Sequence, residues 1–358
     1  MPDAPEGTVA AEEITPAELR LAARNHGLPL EALRYDLTPA GLHYLLIHYD
    51  IPPVDAAAFR LEVAGAVERP LSLSLEELQE RPRVTMPITF ECAGNGRALL
   101  QPRPLSQPWL TEAVGTAEWG GTPLAPLLAE AGVRPGAIEA LFSGLDHGVE
   151  GGSPQAYERS LPLVDAEHAL VAYEMNGAPL PPQHGFPLRL VVPGWYGMTN
   201  VKWLARVTLL EAPFDGYQNA VAYRMYDADG EPGEPLTRML PRSLMVPPGV
   251  PDFMTRERHL EPGRATLTGR AWSGYGPIER VEVSTDGGAS FAEAQLDEPL
   301  GEAAWRGWRL DWDAKAGEHV LCSRATDAAG NVQPLEPPWN LKGYANNAVE
   351  RIPVVVAA

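Results

Sequence analysis

Apolar and polar positions follow two different patterns along this chain. From "FRLEVAG" at residue 59 onward, short apolar runs alternate with short segments of helical spacing. The stretches "LRLVVPGWYG" and "VKWLARVTLLE" are rich in Val and Leu, which predicts two buried strands. Because strands and helices mix without a regular βαβ rhythm, this part is predicted to be an α+β domain.

Three helices are predicted from their start and stop signals. The stretch "TPAELRLAARNHG" begins at a Thr-Pro pair and ends at a glycine. In "SLEELQERP", Ser74 is the expected N-cap and Glu77 stands in the capping-box position. In "TPLAPLLAEAGV", Thr122 is the expected cap, with Pro123 in the first turn.

The last hundred residues have the alternation of half-buried strands and no helical segment. "ATLTGRAWS", "IERVEVSTDGGASFAEAQL", "WRGWRLDWDA" and "GEHVLCSRATDAAGNVQP" alternate apolar and polar residues, and "DGG" predicts a hairpin turn. This spacing predicts a β-sandwich of immunoglobulin type. The proline-rich and charged stretch 249–264 is predicted to be a linker. The resulting division is an N-terminal extension at 1–40, the α+β domain at 41–245 and the sandwich at 246–358.

Composition restricts the possible partners. A length of 358 residues favours two domains, and 45% hydrophobic with 21% charged residues is typical of a soluble globular protein. The net charge of −19 argues against nucleic acid, so an anionic substrate needs a local positive pocket. No apolar run approaches the roughly 20 residues of a membrane span. The acidic N-terminus lacks a secretory pattern, which predicts a cytoplasmic location, or a periplasmic one if a signal has been removed.

Cys92, in "ITFECAGNGR", stands where a predicted strand breaks into glycines. The simplest interpretation is a buried thiol that packs as a small hydrophobe, as is expected for Cys322. Arg97 would favour a thiolate, which three chemistries could use. A hydrolase would need His147 or His184 as its base, and a zinc site would need further Cys or His ligands. A soft metal whose other ligands come from an organic cofactor needs only one cysteine.

Three motifs in this order resemble the sulfite oxidase family of molybdenum–pterin oxidoreductases. They are "CAGNGR", "AYEMNGAPLPPQHGFPLRLVVPGWYGMTNVKWLARV" and "PWNLKGYANNAVERIPV", and the similarity runs from about residue 42 to the C-terminus. The resemblance implies a mixed α/β molybdopterin domain followed by a β-sandwich that forms a homodimer. It also implies that Cys92 is the only protein ligand to molybdenum.

The resemblance assigns cofactor contacts to nine positions, namely Tyr44, His48, Cys92, Asp146, His184, Arg189, Asn200, Val201 and Lys202. Arg189 and Lys202 can supply the cationic donors that a pterin phosphate needs. Asp146 could accept hydrogen bonds from the N–H edge of the pterin. The alternatives are a strand-end salt bridge for Arg189 and an ordinary turn role for Asp146. Five further histidines, among them His43, carry no motif and are predicted to be surface or packing residues.

For the substrate, the resemblance points to four positions, which are Arg97, Trp109, Tyr223 and Lys342. The spacing before Tyr223 differs from the family by one residue, and both aromatic residues have a core role as the alternative. Three positions depart from the family's arginines: Leu46, Gly96 and Lys342. Since Lys is only a compact point charge where Arg is a bidentate fork, these changes weaken the predicted anion pocket.

The leading hypothesis is a molybdenum-cofactor enzyme that oxidises sulfite to sulfate. Its expected partners are a small oxyanion or sulfur-containing substrate and a separate electron acceptor, such as a cytochrome. The alternative is a molybdopterin-dependent reductase of sulfoxides or related oxides, which Leu46 and Lys342 favour. A non-catalytic cofactor carrier or adhesion-like module and a cysteine hydrolase at Cys92 are the remaining hypotheses.

Overall fold

The structure is a computed structural model that describes residues 8, 9 and 14–358, and it consists mainly of short strands. Strands β1 to β15 are Thr8–Val9, Leu61–Gly65, Leu71–Leu73, Val84–Glu91, Arg103–Pro104, Val114–Pro123, Glu139–Glu150, Ser153–Pro162, Leu170–Met175, Ala178–Pro179, Arg189–Val191, Leu204–Leu210, Arg224–Tyr226, Pro232–Pro235 and Arg242–Met245. Strands β16 to β24 are Val250–Pro251, Arg258–Leu260, Gly263–Trp272, Ile278–Ser284, Ala292–Glu293, Gln295–Leu296, Arg306–Ala314, Gly317–Asp327 and Ile352–Val356.

The helices are few and short. Helices α1 to α4 are Pro16–Ala22, Leu75–Gln79, Leu124–Ala131 and Leu163–Ala166. Single 3₁₀ turns lie at Leu30–Arg34, Arg97–Leu99, Pro182–His184 and Gly197–Thr199, and a π-helical turn lies at Gln218–Ala222. None of these helices, within the described part of the chain, has the length and apolar character that a membrane crossing requires.

The predicted helices are present, but α1 ends at Ala22, before the glycine that was predicted to end it, and α3 has a different cap from the predicted one. Both α1 and α2 begin with complete capping boxes, formed by Thr15 with Glu18 and by Ser74 with Glu77. Thr122 does not cap α3, because it still lies in β6, and Pro123 occupies the N-cap position without a side-chain hydrogen bond. Helix α3 therefore begins at Leu124, one residue later than predicted.

The first domain contains two five-stranded sheets. One has the order β3-β2-β12-β7-β8, in which β2 and β12 are parallel, and the other has the order β10-β9-β6-β4 with β11 paired to β9. Helix α3 buries its leucines in the main core beside the first sheet. The α+β prediction is confirmed. Residues 1–7 and 10–13 of the predicted extension lie outside the described residues.

The second domain is a sandwich of two sheets, which confirms the predicted β-sandwich. A four-stranded sheet has the order β15-β18-β22-β21, and a six-stranded sheet has the order β16-β17-β24-β23-β19-β20. Their inner faces form a separate core. The predicted linker at 249–264 is wrong, because it contains β16 and β17, and β17 pairs in parallel with β24. Its prolines and charges lie on an edge hairpin, where both are tolerated.

Residues at the end of β4 join the two domains. The Glu91 carboxylate lies 3.0 Å from the Arg242 guanidinium and accepts a 2.9 Å hydrogen bond from the Trp272 indole, and all three side chains are buried. Asn346, after the sandwich strands β15 to β23, donates to the carbonyl of Gly96 at 2.7 Å. The segment that follows β4 is therefore held by both domains. The division at residues 40 and 245 stays a prediction.

Candidate active site

A pocket opens beyond the end of β4. It encloses about 670 Å³ of empty space, part of which is open to solvent. Nine of the thirteen predicted site residues line it, namely Tyr44, His48, Cys92, Asp146, His184, Arg189, Asn200, Lys202 and Tyr223.

The other four predicted residues do not line this pocket. The side chain of Val201 is fully buried in the main core. Trp109 packs in the smaller core beside Cys92. Arg97 and Lys342 contact each other through the backbone, since the Nε of Arg97 donates to the carbonyl of Lys342 at 2.7 Å.

The Cys92 loop has a conformation in which Gly94 and Gly96 lie in close contact with neighbouring atoms. The backbone N–H of Cys92 donates to Ala113 at 2.9 Å, which fixes the thiol at the strand end. Gly96 has a φ of +89°, and a Cβ there would lie 2.8 Å from the carbonyl oxygen of Asn346. An arginine at position 96, as in many relatives, would therefore be strained on this backbone and would require Asn346 to move. A Cβ at Gly94 would likewise lie 2.6 Å from the Arg97 guanidinium.

Burial outweighs the effect of Arg97 on the pKa of Cys92, although Arg97 favours the thiolate form, as expected. Burial raises the pKa of Cys92, and the charge of Arg97, the N–H of Gly94 and the nearby indole of Trp109 offset only part of that rise. The Trp109 indole N–H makes no hydrogen bond of ordinary geometry with any described residue. A metal would remove the proton, because a coordinating thiol is deprotonated by the bound cation.

Arg189 lies between aromatic rings at the other side of the pocket. Its guanidinium carbon is 4.9 Å from the Phe90 ring and 4.6 Å from the Trp119 ring, and the group donates to the carbonyls of His184 and Asn200 at 3.0 and 3.2 Å. Its Nε has no hydrogen-bond partner among the described residues. Burial lowers the pKa of Arg189 to about 10, so it remains charged at neutral pH.

Lys202 and Asp146 form an electrostatic pair beside Arg189. The Lys202 ammonium donates to the carbonyls of Leu46 and Gln183 at 2.8 and 3.3 Å. Burial lowers the pKa of Lys202 to about 7, aided by Arg189 and opposed by Asp146. Burial raises the pKa of Asp146 to about 6, opposed by Lys202. Each of the two charges therefore offsets only part of the effect of burial on the pKa of the other.

A break in strand pairing directs Asp146 toward the pocket. The register of β7 with β8 shifts between Ser143 and His147, so the residues between them leave the ladder. A Cβ at Gly144 would lie 2.7 Å from the Asp146 carboxylate, which explains the small residue there. One carboxylate oxygen of Asp146 is buried and has no hydrogen-bond partner in the described part of the chain.

Two imidazoles complete this wall, and the sequence identified only one of them. His43 and His184 are both buried, with ring centroids 5.6 Å apart. Burial lowers the pKa of His184 to about 2, and the neighbouring His43 contributes to this shift. Burial also lowers the pKa of His43 to about 4, so both imidazoles are neutral. The prediction for His43 placed it among surface or packing residues, but it lines the pocket. The sequence signal for His43 was that it directly precedes Tyr44, which was predicted to contact the cofactor.

His48 belongs to a hydrogen-bonded cluster around Glu150. The Glu150 carboxylate accepts from His48 at 2.8 Å, from the Tyr49 hydroxyl at 2.8 Å and from Gln218 at 3.0 Å. Burial alone raises the pKa of Glu150, but these donors and the charge of His48 outweigh burial and lower it to about 2. Glu150 thus orients His48 at the pocket wall.

Tyr223 follows the π-helical turn, where the spacing differs from the family by one residue. Its N–H donates to the carbonyl of Gln218 at 3.3 Å, five residues back, so the turn holds one more residue than an α-turn. Burial raises the pKa of Tyr223 well above its ordinary value, with further contributions from Tyr157 and Tyr344. Tyr223 is therefore a neutral hydroxyl that lines the pocket.

The departures from the family's arginines have distinct structural outcomes. Leu46 lines the pocket with an apolar side chain. The Lys342 ammonium donates to the carbonyls of Val221 and Ala222 at 2.6 and 3.2 Å and lies 4.1 Å from the Tyr226 ring. Its charge is therefore bound to the backbone that precedes Tyr223.

Sequence reasoning missed the contribution of β8. Tyr157 lines the pocket, and its hydroxyl donates to the carbonyl of Met198 at 2.7 Å. Arg159, two residues on, is on the same face of the strand and is only 3% exposed. The signal was the alternation in "QAYERSL", where a Tyr and an Arg stand among inward-facing positions.

The residues of the pocket fit a molybdenum–pterin cofactor. Arg189 and Lys202 suit a phosphate, and the unpartnered atoms of His43, Asp146 and Arg189 are available to a polar heterocycle. No three His, Cys, Asp or Glu side chains of the described residues are grouped as metal ligands. A metal at Cys92 would therefore take its other ligands from the cofactor, as a soft thiolate site allows.

Comparisons with known proteins cover both domains. The model of an oxidoreductase molybdopterin binding domain matches residues 48–218, and that of a Mo-co oxidoreductase dimerisation domain matches residues 241–357. Sulfite oxidase of Gallus gallus is 38% identical over 338 residues, which cover 88% of this chain and 72% of that protein. Mitochondrial sulfite oxidase of Homo sapiens is 37% identical over 349 residues, and this chain spans 62% of its length while the match covers 90% of this chain.

A solved structure agrees with these sequence matches. The crystal structure of the sulfane dehydrogenase SoxCD from Paracoccus pantotrophus superposes with a TM-score of 0.81 at 29% identity, covering 96% of this chain and 86% of that chain. The likeness extends over both domains. This chain is an oxidoreductase that uses a molybdenum cofactor, and it belongs to the sulfite oxidase family.

Proposed function

We propose that this enzyme oxidises sulfite to sulfate and passes the electrons to a separate acceptor. Water supplies the added oxygen, and two protons and two electrons leave for each sulfite. The observation that carries the proposal is a pocket shared by Cys92 and Tyr223 in a region rich in cations, within a chain of net charge −19. The printed names of the human and chicken relatives, which are sulfite oxidases, support it.

The cofactor supplies oxygen-atom transfer and two-electron chemistry, while the protein supplies position and field. Cys92 would be the metal ligand. Arg189 and Lys202 would hold the phosphate, and Asp146 would accept hydrogen bonds from the pterin N–H edge. The side chain of Asn200 accepts from the N–H of Val192 at 2.7 Å, which supports a role in fixing the backbone that Arg189 contacts.

On the substrate side, Tyr223 would donate its hydroxyl hydrogen to the oxyanion, since its raised pKa keeps it protonated. Arg97 and Lys342 would contribute positive charge, and the hydrogen bond from the Nε of Arg97 to the carbonyl of Lys342 fixes Arg97 near Cys92. Trp109 would exclude water beside the thiol, because it is buried and packs in the same core as Cys92.

The remaining assignments concern assembly. The match of residues 241–357 to a dimerisation domain supports a homodimer formed through the sandwich. We propose the domain division 1–40, 41–245 and 246–358, with the four residues of β15 (Arg242–Met245) assigned to the sandwich sheet in which they pair, and a cytochrome or similar protein as the acceptor. A cytoplasmic location stays a prediction.

The decisive experiment measures molybdenum content and sulfite-dependent ferricyanide reduction in protein purified from a host that makes the cofactor. We expect close to one molybdenum per chain and turnover that saturates with sulfite. Molybdenum-loaded protein that fails to reduce ferricyanide with sulfite would remove the substrate assignment. The cofactor assignment is independent of that result.

Leu46 favours a second candidate, the reduction of a sulfoxide or a related oxide. An apolar side chain stands on the pocket wall at the position where the resemblance implies a substrate arginine. A neutral substrate needs no charge there, whereas an anion loses a charged hydrogen bond of about 1.5–3 kcal/mol. Oxidation of reduced methyl viologen by dimethyl sulfoxide, at a rate above that of sulfite oxidation, would favour this candidate.

A further inference from the structure

Arg159 is a buried cation that the assignments above do not use. Its side chain lies on β8 and is 3% exposed, and no described carboxylate forms a salt bridge with it. Nη1 donates to the carbonyl of Gln218 at 2.6 Å, while Nε is buried without a hydrogen-bond partner in the described chain. Burying an unpaired charge is costly, so its retention calls for a compensating function.

The guanidinium lies directly behind the pocket wall. Since side chains two apart on a strand share a face, Arg159 stands beside Tyr157, which lines the pocket. Its Cζ atom is 5.5 Å from the centroid of the Tyr223 ring. Tyr344, the third aromatic ring near it, also lies 5.0 Å from the Cζ of Arg97. Arg159 and Arg97 thus bracket the tyrosines at the Cys92 end of the pocket.

Arg159 is the cation of this region whose donors are least used. Arg97 donates to the carbonyls of Lys342 and Gln107, and Lys342 donates to the carbonyls of Val221 and Ala222. Arg159 has one carbonyl partner and an unpartnered Nε. In a dry site, such a charge acts over several ångströms with little screening.

We propose that Arg159 is a positioning residue that makes the pocket select an anionic oxyanion, by placing an unpaired positive charge behind Tyr157 and Tyr223. It replaces from β8 the charge that is missing at Leu46. This inference rests on the proposed function of the pocket and deepens it: the substrate or product that binds at the tyrosines carries a negative charge.

The test compares variants that separate charge from hydrogen bonding. Arg159→Gln keeps a donor for the carbonyl of Gln218 but removes the charge, and Arg159→Lys keeps the charge. Arg206→Gln, an exposed arginine on β12 of the same sheet, is the matched control. Each loaded enzyme is measured for molybdenum content, Tm, KM and kcat with sulfite, and the competitive inhibition constant of sulfate.

We expect Arg159→Gln to raise both the KM for sulfite and the inhibition constant of sulfate by about 10- to 100-fold, as for a lost charged interaction. Its kcat should change less than about threefold, and Arg159→Lys should remain within about fivefold of the wild type, a pattern that separates binding from chemistry. A role limited to holding the π-turn would instead lower Tm and kcat in both variants and leave the sulfate constant unchanged, which would overturn the proposal.

Two other results of this experiment are also informative. If Arg159→Gln does not fold, Arg159→Met replaces it, because an apolar residue of similar length avoids an unsatisfied buried polar group. If the wild type binds molybdenum but does not oxidise sulfite, the proposed function fails. The binding of sulfate then still tests the role of Arg159. Stabilisation of the loaded wild type by sulfate in thermal denaturation, lost in the neutral variant, supports a role of Arg159 in anion selection. Equal stabilisation of both proteins contradicts it.

Discussion

The two sides of the pocket are built in different ways. The proposed cofactor side comes from strand ends and turns of one domain, and its cations donate to backbone carbonyls, as Arg189 does to His184 and Lys202 does to Leu46. The substrate side combines β8, the π-turn before Tyr223 and a segment after the sandwich strands. A side built within one domain takes its shape from the folding of that domain, whereas a side that also includes a segment after the sandwich strands depends on both domains.

Replacing Cys92 should have the largest effect, because it removes the one proposed contact between the protein and the metal. Cys92→Ser is expected to keep the pterin, held by Arg189 and Lys202, and to lose sulfite oxidation by about 1000-fold or more, since a serine hydroxyl is a poor ligand for a soft metal. Pterin fluorescence and ferricyanide reduction measure the two effects. Cys322→Ser, in the buried sandwich core, is the control and should retain activity. Retained activity in Cys92→Ser would remove the ligand assignment.

Glu91, the last residue of β4, contacts Arg242 and Trp272 and so fixes the strand end that precedes Cys92. Glu91→Ala would leave the buried Arg242 guanidinium without its carboxylate and remove the hydrogen bond from Trp272. Breaking a buried pair in this way costs about 3–5 kcal/mol. Urea denaturation of the cofactor-free protein measures the loss, and Glu293→Ala, at an exposed strand position, is the control. An unchanged midpoint would mean that this pair adds no stability.

Lys202 gives the cofactor side a pH dependence. Its pKa is about 7 in the folded protein against an ordinary 10.5, so the unfolded chain binds more protons between these values. The stability that depends on this group is therefore present above pH 10.5 and is lost as pH falls through 7. Cofactor-free Lys202→Met should be more stable than the wild type at pH 7 by a few kcal/mol, since one pKa unit is about 1.4 kcal/mol.

This gain from Lys202→Met should shrink toward pH 10, as measured by urea denaturation at several pH values. Lys315→Met, at an exposed position, should be insensitive to pH over the same range. When the proteins are purified with the cofactor, Lys202→Met should retain less pterin than the wild type, because the phosphate loses a cation. A pH-independent difference between Lys202→Met and the wild type would contradict the lowered pKa.

The smallest effect is expected from Lys342→Arg on the substrate side. A guanidinium can keep one carbonyl contact at Val221 or Ala222 and still present a second donor, which an ammonium held by both carbonyls does less well. The KM for sulfite should fall by about two- to fivefold with kcat unchanged, as expected for a weak added charged contact. A higher KM would mean that Lys342 serves only to hold the π-turn.

The sequence predicted the features that depend on contiguous residues. The caps of α1 and α2, the strand that ends at Cys92 and the α+β and sandwich classes follow from local patterns. The position of Arg159 did not, since a single arginine in a strand has no signature until β8 is paired and Tyr223 is packed against it. The π-turn was visible only as a spacing difference, and the hairpin at Val250–Pro251 was hidden by prolines and charges that are typical of linkers.

The hydrogen bond from Asn346 to Gly96 joins residues 250 positions apart. A loop closed over such a distance forms late, because the chain entropy of closure must be met before the contact forms. The loop of Cys92, the proposed metal ligand, therefore has its final surroundings only when the segment around Asn346 is in place. A substitution deep in the sandwich, far from any reacting atom, can thus impair enzyme maturation by leaving the Cys92 loop open.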